Sequence, residues 1–432
     1  MVSLNQTFDG PLLISAPGKV ILFGEHAVVY KKTAVAASLG LRSYLYLENR
    51  NDDIIHLEFP DVDLNRKWKM SDLPHPLPYK AGHDDSHHPM DMPEDLKQHL
   101  LSLINGDDFE NDSARERAAL AFLYLYLCLV KPGESRGLNI CVKSTLPVGA
   151  GLGSSASFAV VLSSALLIHF GHIMVPKQVV VEEKVQERSN EREETLAAVN
   201  RWAYKAEQVI HGNPSGVDNA VASYGGAKRY TKGEGFSSLQ GFTSLRLLLT
   251  NTKVPRSTAV LVAGVGAKAK SFPLIMAPIM DSVQAISDEC THLFEKHARG
   301  EASKQEILER IEELFDLNHC LLMAMGVSHP SLEQVRTITS KHGMTTKLTG
   351  AGGGGCAVTI VRDVLNSKFV DTPQETIDNA VKELTASGFE CYETSVGGPG
   401  VGVSLLEPEW NAATLCSATR SELEAVKEWR WM

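Results

Sequence analysis

Two kinds of segment follow from the apolar and polar positions along the chain. Apolar runs of helical length occupy 114–130 (ARERAALAFLYLYLCLV) and 158–170 (FAVVLSSALLIHF), and each predicts a buried helix. Lys131-Pro132-Gly133 stops the first. In 195–211 the residues Ala203, Ala206, Val209 and Ile210 recur at helical spacing and predict one apolar face. Shorter β-like runs lie at 12–15, 19–23, 33–39, 42–48, 137–143, 245–251 and 357–361. Ala16-Pro17-Gly18 reads as a tight turn between the first two. Past 245, helices are predicted over 267–297, 303–325, 332–342 and 375–387. A boundary just before the strand at 245 divides the chain into 1–243 and 244–432.

Two stretches break this pattern. Segment 61–111 is rich in Asp, His and Pro and reads as a solvated surface insertion. Its His83, Asp84, Asp85, His87 and His88 have neither a helical i, i+4 pair nor a Cys/His framework, which weighs against a metal site. Segment 182–194 is highly charged and reads as a solvated helical face or an exposed connection.

The polar positions that carry chemistry cluster around glycines. In 146–158 (LPVGAGLGSSASF), Gly149, Gly151 and Gly153 feed directly into an apolar helix. Glycine permits positive φ and close backbone approach, and the helix start offers unpaired N–H groups to a phosphate. Ser154 and Ser155 suit a helix cap or a hydroxyl ligand for phosphate-bound Mg²⁺. The stretch is not a Walker A loop, since no Gly-Lys-Ser/Thr follows, and Ser154 stands where a Rossmann fingerprint needs Gly or Ala. A plain Gly-Ser turn capping a core helix is the competing reading.

Lys19 sits among apolar neighbours near a strand end, which suggests a partner. Glu207 stands on the apolar face of 195–211 and calls for a compensating group, either a structural cation or a metal ion. Asp218 follows the turn run Gly212-Asn213-Pro214-Ser215-Gly216. Alone it reads as a helix cap; with Glu207 and the glycine loop it completes a kinase-like set of carboxylates and phosphate cradle. The run 347–356 (KLTGAGGGGC) holds five glycines before a strand, and backbone approach to a ligand explains it better than a hairpin tip.

Charge and cysteines narrow the class. A net charge of −10 over 432 residues argues against nucleic-acid binding and requires an anionic substrate to be held by local groups. Seven scattered cysteines with no C-x-x-C pair suit free thiols in a reducing compartment. The N-terminus has neither a basic n-region nor an apolar h-region, so a signal peptide is not expected. The run 159–175 contains Ser163, Ser164, His169 and His172 and reads as a buried helix, not a membrane span.

Three blocks, PGKVILFGEHAVV, LPVGAGLGSSAS and KLTGAGGGGC, resemble the three motifs of the GHMP small-molecule kinases. With IHGNPSGVDNAV and TNTKVPRST, the likeness narrows to the eukaryotic branch that phosphorylates mevalonate, over 11–60 and 114–406. The resemblance implies a two-domain α+β kinase, ribosomal protein S5 domain 2-like at the N-terminus and ferredoxin-like at the C-terminus. It implies transfer of the ATP γ-phosphoryl group to the mevalonate 5-hydroxyl, with Mg²⁺ as cofactor. By position, Asp218 matches the catalytic aspartate and Lys19 the lysine that contacts it. Gly149, Ala150, Gly151, Leu152, Gly153, Ser154 and Ser155, with Lys19, match the ATP-binding cradle. Ser155 and Glu207 match the Mg²⁺ ligands, and Glu25, His26, Thr252 and Ala351 the substrate side. A cytoplasmic homodimer inhibited by isoprenoid diphosphates such as farnesyl diphosphate is also implied. Lys19-Val20, five residues, then His26-Ala27 resembles a peroxisomal import nonapeptide, but it overlaps the catalytic segment. The alternatives are another GHMP kinase, acting on galactose, homoserine or phosphomevalonate, or a non-catalytic sensor on the same fold.

Overall fold

The structure, a computed structural model, describes residues 8–74, 89–105, 113–131, 133, 135–147, 149–176, 185–363, 371–405, 410–426 and 428–432, with side chains from 191 onward in the segment that opens at 185. The histidines and aspartates at 83–88 lie outside the described residues. The chain runs β1 (Leu12–Phe23), β2 (Thr33–Asn49), β3 (Ile54–Phe59), β4 (Leu64–Lys69), α1 (Glu94–Asn105), α2 (Ala114–Leu129), β5 (Leu138–Ser144), α3 (Ser154–His169), α4 (Val185–His211), α5 (Val217–Tyr224), β6 (Ala227–Thr231) and β7 (Gly235–Ser238). It continues β8 (Leu245–Asn251), α6 (Thr258–Ser271), α7 (Pro273–Ala298), α8 (Lys304–Met325), α9 (Pro330–Lys341), β9 (Thr346–Leu348), β10 (Cys356–Val361), α10 (Gln374–Ala386), β11 (Glu390–Val396), β12 (Gly402–Ser404), α11 (Ala412–Ser417), α12 (Arg420–Glu424) and β13 (Arg430–Trp431).

The strands form two lobes. In the second, the order β11-β8-β10-β9 with helices between β8 and β9 and between β10 and β11 is the split βαββαβ arrangement of a ferredoxin-like domain. In the first, β2 pairs with β1, β5 and β6, and β12 and β13 extend the sheet beyond β1. The lobes meet where Val396 of β11 pairs with Leu39 of β2. β2 shows why this sheet is buried on both faces. Leu45 and Leu47 face the core built on α2 and α3, while Tyr44 and Tyr46 face a cluster capped by α11 and α12. α2 and α3 are apolar around their whole circumference because other elements enclose them.

Several elements differ from the sequence expectation. The first two strands are one, β1, with irregular register around Gly18, where an added Cβ would collide with Leu146 and come within 2.7 Å of the Leu152 carbonyl. The two β-like runs at 33–48 likewise fuse into β2. The helix expected over 267–297 breaks at Phe272, because Pro273 has no N–H to continue it and starts α7 instead. The boundary at 243/244 is crossed again by the C-terminus: β12, β13, α11 and α12 return to the first lobe. Free thiols are not general either, since Cys141 of β5 and Cys416 of α11 form a disulfide there. Among the described residues, no helix is long and apolar enough to cross a membrane.

Candidate active site

Four segment ends converge at one cavity. The glycine loop delivers α3, the last turn of α4 lies beside it, and the turn after α4 delivers α5. Lys19 projects from the irregular stretch of β1. The cavity, ≈ 200 Å³, is lined by Ser155, Glu207, His211, Ser215, Asp218 and Asn219, with Pro214 and Gly216 in the turn. Lys19 Nζ lies 3.3 Å from Asp218 Oδ2, the lysine buried and the aspartate open to the cavity. The loop packs on this lysine: the Lys19 N–H donates to Leu152 O at 2.8 Å, and a Cβ at Gly153 would come within 2.9 Å of Lys19 Cγ.

Neither helix cap is the serine or aspartate that the sequence suggests. Gly153 caps α3 at φ +74 and Gly216 caps α5 at φ +81, both without a side-chain hydrogen bond. Ser154 and Ser155 therefore occupy the first turn of α3, where the helix dipole is positive and N–H groups are unpaired. Asp218 likewise sits in the first turn of α5 and faces the cavity. The Ser155 hydroxyl lies 3.1 Å from His211 Nε2. Burial is the main cause of the low His211 pKa. His211 was missed by the sequence reading, although it stands four residues after Glu207 and so shares its helix face.

Glu207 is buried, and one carboxylate oxygen, Oε1, has no hydrogen-bond partner. Burial pushes its pKa up to about 7; the nearby Asp218 charge adds to the rise, while the Ser155 hydroxyl and Lys19 oppose it. The structural-cation alternative for Glu207 is thus not realised by a direct ion pair among the described residues. Asn219, the next residue after Asp218, is also buried, with both amide atoms unpartnered. Orphaned buried oxygens beside the Ser155 hydroxyl suit a hard cation. Among the described residues no group of three or more His, Cys, Asp or Glu is placed to hold a metal.

None of the four residues matched to the substrate side lines this cavity. Glu25 is 1% exposed; its Oε1 pairs with Lys347 Nζ, and its Oε2 accepts from Asn318 Nδ2 at 2.9 Å. Both oxygens are thus partnered within the protein, which fixes the carboxylate in place. His26 donates from Nε2 to Ala351 O at 2.8 Å, leaving its buried Nδ1 unpartnered; burial lowers its pKa. Thr252 Oγ1 donates to Gly355 O at 2.8 Å. The second glycine loop is also not an open cradle. Added Cβ atoms at Gly352, Gly353, Gly354 and Gly355 would meet Val327, Leu261, Val254 and Arg256, and all four φ values are positive. The protein's own packing therefore requires these glycines. At Gly149, by contrast, the space is empty. The import-like nonapeptide at 19–27 is almost wholly buried, so the folded chain does not display it.

Comparison with known proteins identifies the family. The model of the GHMP kinases N terminal domain matches 117–227, and that of the GHMP kinases C terminal domain matches 301–389. The chain is 41% identical to the mevalonate kinase of Bos taurus over 96% of its own length and 99% of that relative. It is 39% identical to the mevalonate kinase of Candida albicans, over 98% and 99%. Among solved structures, the L. major mevalonate kinase in complex with R-mevalonate shares the fold with a TM-score of 0.60 at 23% identity, over 92% of this chain and 98% of that one.

Proposed function

The chain belongs to the mevalonate kinases of the GHMP kinase family, and from that premise we propose how its residues carry the transfer of the ATP γ-phosphoryl group to the 5-hydroxyl of mevalonate. The observation that carries the reading is the Lys19–Asp218 pair, held at 3.3 Å beside the N-terminus of α3. ATP lays its phosphates along 149–155, against the N–H groups of the first turn of α3. Asp218 accepts the proton of the attacking hydroxyl as its oxygen bonds to the γ-phosphorus and the bond to ADP breaks. Lys19 orients Asp218 and offsets charge on the phosphoryl oxygens. Ser155 and Glu207 would hold Mg²⁺, which neutralises phosphate charge when bound. The deciding experiment offers MgATP with mevalonate, galactose, homoserine and phosphomevalonate separately. Strong ADP release is expected with mevalonate alone; none with mevalonate, or equal release with another acceptor, refutes the proposal.

Glu207 also yields a stability prediction. Its folded pKa of about 7 lies above its ordinary 4.5, so the fold binds this proton more tightly than the unfolded chain does. That contribution is full below about 4.5 and is lost as pH rises through about 7. Glu207→Gln should therefore stabilise the metal-free protein at pH 8 by up to about 3 kcal/mol, with little gain near pH 5, while weakening Mg²⁺-dependent turnover. Melting curves of both proteins at the two pH values measure this; a gap that does not widen with pH contradicts it.

Two further properties are proposed from the resemblance. A homodimer would cover the exposed apolar residues Phe272, Leu274 and Ile275, where Leu274 is 90% exposed. Sedimentation should show a dimer that Leu274→Glu dissociates; a wild-type monomer rejects it. Isoprenoid diphosphates would compete at the phosphate cradle, so farnesyl diphosphate inhibition that persists unchanged at high ATP rejects the shared site.

A further inference from the structure

The glycines of the two loops leave space for one side chain, Arg256, in the connection between β8 and α6. Its Nη2 donates to Ala150 O at 2.9 Å, in the loop that feeds α3. Its Nη1 reaches Gly354 O at 3.4 Å, in the loop that feeds β10. A Cβ at Gly151 or Gly355 would overlap the guanidinium, and one at Gly350 would come to 3.4 Å. The missing side chains thus form the slot that the guanidinium fills. No carboxylate is within ion-pair distance of Arg256 among the described residues, and burial lowers its pKa.

A planar fork is suited to this place. It joins two carbonyls on separate elements in fixed geometry, whereas an ammonium is a single point donor on a flexible stem. The Lys19 N–H holds Leu152 O, and the Ala150 and Leu152 side chains are buried in the core. The Ala150 carbonyl is fixed from the other lobe, by Arg256. An unneutralised, largely buried cation is costly, and a polyphosphate arriving on the adjacent loop offsets that cost.

We propose that Arg256 is the positioning residue of the phosphate loop, locking Ala150 in the first lobe to Gly354 in the second so that the 149–155 N–H groups meet the nucleotide. This rests on the kinase reading of the site above. The test compares wild type with Arg256→Lys and Arg256→Gln by calorimetric titration with MgADP and by steady-state kinetics. Arg256→Lys keeps the charge and loses the fork. It should raise the MgADP Kd and the KM for ATP about tenfold, with the KM for mevalonate changed less than about twofold and the Tm within about 2 °C. Arg256→Gln should weaken nucleotide binding further. Unchanged MgADP affinity in both variants overturns the proposal. So does a parallel rise in both KM values with a lowered Tm, which would mark a general structural role. If the wild-type chain binds MgADP but releases no ADP with mevalonate, the functional reading fails, and the MgADP titrations still decide the role of Arg256.

Discussion

Asp218→Ala is expected to lower kcat by about 10³-fold or more while leaving MgATP affinity within a factor of about two. Both halves follow from the way the cavity is divided. Nucleotide contacts are assigned to the 149–155 loop, the start of α3 and Lys19, and Mg²⁺ to Ser155 and Glu207; of these, Lys19 bonds the Asp218 carboxylate, and its backbone stays held by Leu152 O without it. Asp218 is carried by a different helix, α5, whose start is set by Gly216, and it faces the cavity with Lys19 behind it at 3.3 Å. Deleting the carboxylate removes the proton acceptor and leaves a buried ammonium without its partner. Asp218→Asn keeps the shape and a hydrogen-bonding oxygen for Lys19 but not the basicity. If Asp218 accepts the proton, Asn should be nearly as slow as Ala. If it only orients the hydroxyl, Asn should recover much of the rate. Wild-type turnover in the alanine variant would remove Asp218 from the mechanism.

The secondary elements were legible wherever periodicity was strong and the punctuation chemical: α2 ends at Leu129, one residue short of the expected 130, and β8 occupies 245–251 as expected. Elements were misread where tertiary packing overrode a local signal. Pro17-Gly18 reads as a turn but sits inside β1, because Leu146 and Leu152 press on the strand there. The Tyr/Leu alternation of β2 marks two buried faces, a fact hidden until α11 and α12 fold back from the far end of the chain. At the site, the carboxylates, the lysine and the serine were visible because charges on apolar faces demand a partner. His211, Asn219 and Arg256 were not singled out, since their significance lies in unmade or long-range hydrogen bonds. Multi-glycine runs proved ambiguous in the same way. The sequence could not tell a glycine with open space beside it, as at Gly149, from one that makes room for Arg256, as at Gly151 and Gly355.

The buried Lys347–Glu25 pair carries the largest stability effect. Lys347 and Glu25 are both fully enclosed, with the ammonium also donating to Leu348 O at 2.8 Å and lying over the rings of Phe23 and Phe315. Lys347→Met should cost about 3–5 kcal/mol in denaturant unfolding, because it strands the Glu25 carboxylate in the core with Asn318 as its remaining partner. The methionine itself is tolerable, since its thioether packs well against the two rings. The double variant Lys347→Met, Glu25→Gln should therefore recover most of the loss: the stranded charge is gone, and Asn318 can still donate to the glutamine oxygen. A single variant that loses less than about 1 kcal/mol, or a double variant as unstable as the single, contradicts the pair's structural role. The same double variant decides where Glu25 works. A refolded protein with a normal KM for mevalonate confines Glu25 to holding the end of β1 against β9. A stable protein with a greatly raised KM for mevalonate would place it on the substrate side.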